Sequence, residues 1–296
     1  MKRRFVATAL LVSFASAAVL VQPASAAHGG QEVYALLKHN VLRSVIASDP
    51  DGAADDVQIT GLRPGEKLVG IDFRPRDGGL YGVGSKDSGA ILYRIDAETG
   101  TAAAVAPLVT VAGAPVVLVG EQFGVDFNPT ADALRIVSDT GQNLRAFPSS
   151  ATPAGVARVT GQTIVDGTLN EVGGTGTGIV GAAYTNNDND PTTGTTLYDI
   201  DAATDRLVVQ SPPNNGTLVN VGSLQVPTRP VVGFDILTIS VGGVATNFAY
   251  VATTSTTGKP VSSLRTIDLA SGATVTEWGT FGVQVLDIAV EVAPPT

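Results

Sequence analysis

The sequence predicts an all-β chain closed into a β-propeller, most simply one of five four-stranded blades. Three observations carry this. A Gly-x-Asp-Phe unit returns at a steady interval, a second strand-and-turn motif accompanies it, and the strand missing from the N-terminal end of the pattern is found at the C-terminal end. A period in this range is that of a blade-type repeat. No helical period is visible after the first 26 residues, and 34 glycines with 17 prolines suit a chain of many tight turns.

The unit first reads Gly70-Ile71-Asp72-Phe73-Arg74-Pro75 and returns as Gly124-Val125-Asp126-Phe127-Asn128-Pro129 and Gly233-Phe234-Asp235-Ile236. A degenerate copy, Gly181-Ala182-Ala183-Tyr184, has alanine for the aspartate, and the last copy is Val285-Leu286-Asp287-Ile288. Positions 72, 126, 183, 235 and 287 are thus 52 to 57 residues apart.

The second motif is Leu92-Tyr93-Arg94-Ile95-Asp96, repeated as Leu197-Tyr198-Asp199-Ile200-Asp201 and Leu264-Arg265-Thr266-Ile267-Asp268, each followed by a polar turn ending in Gly or Asp. It reads as a period-2 strand entering a turn, and we expect it to occupy the same place in each repeat. With a strand between the two motifs and another after the turn, each period holds four strands, and a ring of such sheets is a propeller.

Residues 32–60 contain later strands of a repeat without a Gly-x-Asp-Phe strand before them, whereas 283–292 is such a strand with nothing after it. Pairing the two closes the ring and protects its sheet edges. The expected blades are 32–62 with 283–292, then 66–112, 116–165, 178–225 and 230–281. Six blades follow if 145–180 conceals a divergent copy, and a two-sheet sandwich is the third arrangement.

The first 26 residues read as an export signal: Lys2, Arg3 and Arg4, an apolar stretch from Phe5 to Val21, then Ala24-Ser25-Ala26 as a small-residue cleavage pattern. The expected mature unit, 27–296, is one propeller domain, secreted or periplasmic. Losing the three cations takes the net charge from −9 to −12. No later apolar run is long enough to span a bilayer. A chain without cysteine has no disulfides and no thiolate chemistry, and His28 and His39 are its only histidines, so a histidine metal cluster or a Ser-His-Asp triad has little to draw on. Its acidity, with a pI of 4.6, argues against nucleic acid.

Asp72, Asp126, Asp235 and Asp287 recur on the innermost strand, pointing to the face opposite their apolar neighbours. Facing the channel they are the candidate binding residues, a carboxylate ring for a cation or for acid–base work. The alternative is that they accept backbone N–H bonds between blades, and this is preferred because a residue present in every repeat serves what every repeat needs. Asp96, Asp201 and Asp268 read as turn residues. The loop Asn186-Asn187-Asp188-Asn189-Asp190-Pro191 is the metal candidate, with Asp188 and Asp190 as calcium ligands, although it lacks EF-hand spacing. Gly173 to Gly178 has no strand-to-helix context for a phosphate loop.

These motifs, together with Ser138-Asp-Thr-Gly-Gln-Asn-Leu-Arg145, Ala183-Tyr-Thr-Asn-Asn187 and Gln210-Ser-Pro-Pro-Asn-Asn-Gly-Thr-Leu218, resemble the bacterial secreted family catalogued as domain of unknown function 4394, over about residues 32–290. The resemblance implies an exported propeller and brings no catalytic residues with it. The preferred functional expectation is a monomeric, non-enzymatic propeller that binds a small molecule, a glycan or a surface protein. The second is a glycosidase- or lactonase-like hydrolase using unlike carboxylates, such as Asp126 with Glu121 or Glu277. The third is a calcium-stabilised propeller.

Overall fold

A computed structural model describes residues 29–52, 54–151, 157–171, 174–188, 190, 192–241 and 244–291. The export signal expected over 1–26 lies outside the described residues, as does Asn189 of the candidate calcium loop.

The chain forms five antiparallel blades in a ring. Strands β1 (Glu32–Leu37), β2 (Val41–Ile46) and β3 (Asp55–Gln58) belong to blade one, and β4 (Lys67–Phe73), β5 (Leu80–Ser85), β6 (Ile91–Ile95) and β7 (Ala102–Pro107) make blade two. The short β8 (Val109–Thr110) joins blade three, which holds β9 (Phe123–Asn128), β10 (Ala133–Ser138), β11 (Asn143–Ala146) and β12 (Gln162–Val165). A hairpin of β13 (Asn170–Glu171) and β14 (Gly174–Thr175) leads to blade four: β15 (Ile179–Tyr184), β16 (Leu197–Asp201), β17 (Arg206–Gln210) and β18 (Leu218–Ser223). Blade five holds β19 (Val232–Val241), β20 (Val244–Thr254), β21 (Ser262–Ile267) and β22 (Thr274–Thr280). The final strand, β23 (Val285–Val290), pairs antiparallel with β1 as the innermost strand of blade one. The ring is closed by joining its two ends, as the sequence pattern requires. Among the described residues of 145–180 there is no sixth blade.

Two expectations are corrected. Residues 109–110 pair in parallel with 162–163 and so extend blade three, not blade two. The Leu-Tyr-x-Ile-Asp motif does not stay in phase: it is the third strand in blades two and five but the second strand, β16, in blade four. What it encodes is local. In all three copies the aspartate carboxylate accepts a backbone N–H two residues on, from Glu98, Ala203 or Ala270, and such a turn can follow any strand.

Apolar residues alternate along the strands and fill the five joints between blades, each with its own cluster. One joins blades one and two through Leu36, Ile71, Phe73 and Tyr93; the next joins two and three through Val83, Leu92, Phe127 and Ile136. Others join four to five through Phe234 and Val251, and five to one through Tyr250, Phe281 and Val33. The joint between blades three and four is the thinnest: its cluster has eight buried residues among those described, against twelve or thirteen elsewhere.

The glycine of the repeat unit explains how closely the innermost strands approach. It stands two residues before the aspartate and so shares its face. A Cβ on Gly124 would lie 2.4 Å from the Ala182 backbone nitrogen, and one on Gly233 would lie 2.7 Å from that of Ile288. On Gly70 it would meet the Val125 side chain at 2.4 Å. Gly124→Ala is therefore expected to lower stability by roughly 1–3 kcal/mol, as overpacking against rigid backbone does. Gly30→Ala, with nothing within 4 Å of the added Cβ, should stay within about 0.5 kcal/mol of the parent. Chemical denaturation of the two variants compares these values directly.

Candidate functional site

The innermost strands are the inner edges of their sheets, so their edge N–H groups have no further strand to pair with and need other acceptors. The repeat aspartates supply them. Asp287 Oδ2 of blade one accepts the N–H of Ile71 in blade two at 3.0 Å. Asp72 Oδ2 of blade two accepts that of Phe127 in blade three at 2.7 Å, and Asp126 Oδ1 of blade three accepts that of Tyr184 in blade four at 3.1 Å. Asp235 Oδ2 of blade five accepts that of Val290 in blade one at 2.6 Å, across the closure.

Blade four has Ala183 where the others have aspartate, and its bond to blade five is made by a residue further along the chain. Asn187 Oδ1 accepts the Thr238 N–H at 2.5 Å, and Thr238 Oγ1 in turn accepts the Asn186 N–H at 2.7 Å. All five joints therefore carry a side-chain oxygen from one blade on a backbone N–H of the next innermost strand. Sequence reasoning missed Asn187; the signal was the Asn-Asn pair following the one repeat that lacks its acid.

The axial acids are buried and crowded. One carboxylate oxygen from each of Asp72, Asp126 and Asp235 lies within 4.8 Å of the others. Burial above all, with the neighbouring carboxylates adding to it, pushes Asp72 and Asp126 well above the ordinary carboxylate range. Burial raises Asp287 in the same way, against the N–H groups of Ile71 and Ile288. Asp235 is pushed up only to about 6, because the N–H groups of Val290 and Ile236 oppose its burial. Three carboxyl groups so placed repel one another when ionised, and either protonation or a cation relieves that repulsion.

The other predicted residues lie apart from the axis. Asp188 and Asp190 are exposed, and their Oδ1 atoms accept loop bonds, Asp188 from the Asp190 N–H at 2.9 Å and Asp190 from the Thr192 N–H at 2.8 Å. Among the described residues, the axial trio is the group of three or more potential ligands that converges; the pair in this loop gains no third. Glu277 stands on β22, the outermost strand of blade five, paired with Arg265 at 3.1 Å. Glu121 is exposed in the bend before β9, where its N–H donates to Asp139 Oδ1 at 3.0 Å, whereas Asp126 is buried. Neither comes to face Asp126.

Open grooves lie between blades. One, of about 720 Å³ between blades one and two, is lined by Glu32, Tyr34, Arg94, Asp96, Glu98 and Glu291. It adjoins a second of about 430 Å³ that shares Glu32, Tyr34 and Glu98 and adds Asp55 and Asp56. The Tyr34 hydroxyl is held far above its usual range by burial and by the charges of Glu32, Glu291 and Glu98. A further groove of about 640 Å³ runs between blades four and five past Tyr198, Asn247 and Phe248.

Among solved structures, the chain is similar to one in the nidogen/laminin complex at 12% identity and a TM-score of 0.48, covering 90% of this chain and 100% of that one. It is similar to TolB from Acinetobacter baumannii at 11% identity and a TM-score of 0.43, covering 89% and 67%. It is also similar to the periplasmic gluconolactonase PpgL of Pseudomonas aeruginosa at 17% identity and a TM-score of 0.37, covering 90% and 72%. The chain matches no curated protein. The model of the family described as domain of unknown function (DUF4394) matches residues 41–289, and the chain belongs to that family.

Proposed function

We propose that this is an exported, non-enzymatic propeller whose axis is structural and whose ligand sits in the grooves between blades. The observation that supports this reading is the use made of the axial carboxylates. Each of the four accepts a backbone N–H across a blade joint. A glycosidase pair needs two unlike carboxyl groups facing one pocket about 5–10 Å apart, and the acids that would complete such a pair with Asp126 stand elsewhere. Among the described residues no helix is long and apolar enough to cross a membrane.

The groove between blades one and two is the best equipped to bind. Its carboxylates accept hydrogen bonds, Arg94 donates them, and the Tyr34 ring offers an apolar wall. Such a lining suits a polar ligand rich in hydroxyl or amino groups, a glycan or an amine-bearing surface group, and disfavours an anion. Glu98→Gln and Glu32→Gln are expected to weaken binding of neutral glycans or amines, measured by calorimetry, while leaving the melting temperature unchanged. Turnover of glycoside, lactone or ester substrates by the parent protein, lost in Asp126→Asn, would overturn the reading.

The axial ring makes a second expectation. Raised carboxyl pKa values mean that the folded state holds these protons more tightly than the unfolded chain, whose aspartates titrate near 3.9. The stability these protons contribute is then fully present in acid and is lost as pH rises through the folded values, about 6 for Asp235, with Asp72, Asp126 and Asp287 raised as well. Asp126→Asn keeps an acceptor for the Tyr184 N–H and should flatten that fall; melting curves from pH 5 to 8 report it. Chelator should leave the parent's melting temperature unmoved, whereas a drop on chelation would place a cation among the three oxygens.

A further inference from the structure

The thin joint between blades three and four departs from the repeat in two places at once. Directly across from the axial residue, on the second strand, blades two, four and five carry Tyr81, Tyr198 and Tyr250; blade three carries Arg135 opposite Asp126. At the next position of that strand, facing the preceding blade, the sister blades carry Gly82, Ile136 and Val251, whereas blade four carries Asp199. The two exceptional residues come from opposite sides of the same joint.

Arg135 is fully engaged on other partners: Tyr184, Asn143, Asp166 and Asn214. Asp199 is 0% exposed, and neither of its carboxyl oxygens has a hydrogen-bond partner. A second orphan lies beside it. Val208 pairs with Asp199, so Gln210, two residues further along β17, shares that face as its diagonal neighbour. Gln210 Oε1 is buried and has no partner either, while its Nε2 donates to Pro213 O at 2.5 Å. Two buried acceptors side by side lack one donor, and leaving them so is costly.

We propose that Asp199 is a carboxylic acid in the folded protein at neutral pH and donates its proton to Gln210 Oε1. The resulting chain of bonds runs from Asp199 through Gln210 to Pro213 O, which also accepts Asn143 Nδ2 of blade three at 3.0 Å. Asn214, in the same turn, accepts Arg135 Nη2 at 3.0 Å. The proton thereby holds the turn of blade four that docks on blade three. Burial supports the neutral form, pushing Asp199 up to about 8 against the field of Arg135. The other charged or titratable groups on the elements around the joint include Asp126, Arg145 and Asp166 of blade three, Glu171 of β13, Tyr184 of β15, Tyr198 and Asp201 on its own strand and Arg206 of β17; Asp126 accepts the Tyr184 N–H, Arg145 pairs with Asp166, the Tyr184 hydroxyl with Arg135, and Arg206 with Asp201 and Glu171, while burial raises Tyr198.

The test is the carboxyl carbon resonance of Asp199 in aspartate-labelled protein, identified by its loss in Asp199→Asn. A neutral acid at pH 7 that titrates near pH 8 is expected. Accompanying it, hydrogen exchange at the Gly167 and Asn170 amides, which donate to Asn214 O and Gly216 O of the docked turn, should quicken above pH 8 beyond its intrinsic rise. Asp199→Asn, whose amide supplies the missing donor, should abolish that extra quickening. A carboxylate already ionised at pH 6 would overturn the proposal. So would a sodium-, potassium- or calcium-dependent rise in melting temperature seen in the parent and absent from Asp199→Asn, since the oxygens would then hold a metal ion.

Discussion

The structure depends on the backbone N–H groups of five inner-edge strands. A blade can satisfy its own backbone by antiparallel pairing everywhere except along this inner edge, where no further strand fits. The Gly-x-Asp unit meets that constraint with two residues. Glycine lets neighbouring strands come within side-chain reach, and the aspartate two positions on, sharing that face, accepts the neighbour's N–H. Closure follows from the same rule: on the C-terminal strand the Val290 N–H donates to Asp235, and Asp287 accepts from the Ile71 N–H. Burying four carboxyl groups at one axis raises their proton affinity, so the device that stitches the ring also makes it sensitive to pH.

This constraint accounts for how legible the fold was. Glycine and aspartate two residues apart form a pattern dictated by ring geometry, and it yielded the blade number, the phase and the joining of the termini. The Leu-Tyr-x-Ile-Asp motif misled for the converse reason. Its aspartate serves the N–H groups of its own turn, a requirement that is the same after a second or a third strand, so it carries no information on position in the blade. Residues 109–110 went astray likewise: a two-residue strand has no period to read, and its pairing with 162–163 is set by tertiary packing.

The candidate sites divide along the same line. The role of the axial aspartates in holding blades together was legible because repetition itself argues for it. Asn187 was hidden because it performs that role from a loop, outside the register of the repeat, with an amide oxygen in place of a carboxylate. The grooves were not legible at all: Glu32, Glu98 and Glu291 lie far apart in sequence and meet only because the last strand of the chain sits beside the first blade.

Asp199 shows what a repeat protein offers that a unique sequence does not. Alone, an aspartate within Leu-Tyr-Asp-Ile looks like the polar half of an ordinary alternating strand, directed to solvent. Set beside Gly82, Ile136 and Val251, the same position is an interior one, and an acid there conflicts with what the sister blades put in the same place. The conflict is local to a joint that has given up apolar contact for Arg135 and its partners, so this joint relies on hydrogen bonds where the other four have larger apolar clusters, the joint between blades two and three adding the buried Arg74–Asp132 ion pair to its cluster. Hydrogen bonds among titratable groups respond to pH and apolar contacts do not. The five joints of this ring are therefore alike in their axial stitching and unequal in what can loosen them, and a neutral Asp199 makes the joint between blades three and four one that a change in proton activity reaches away from the axis.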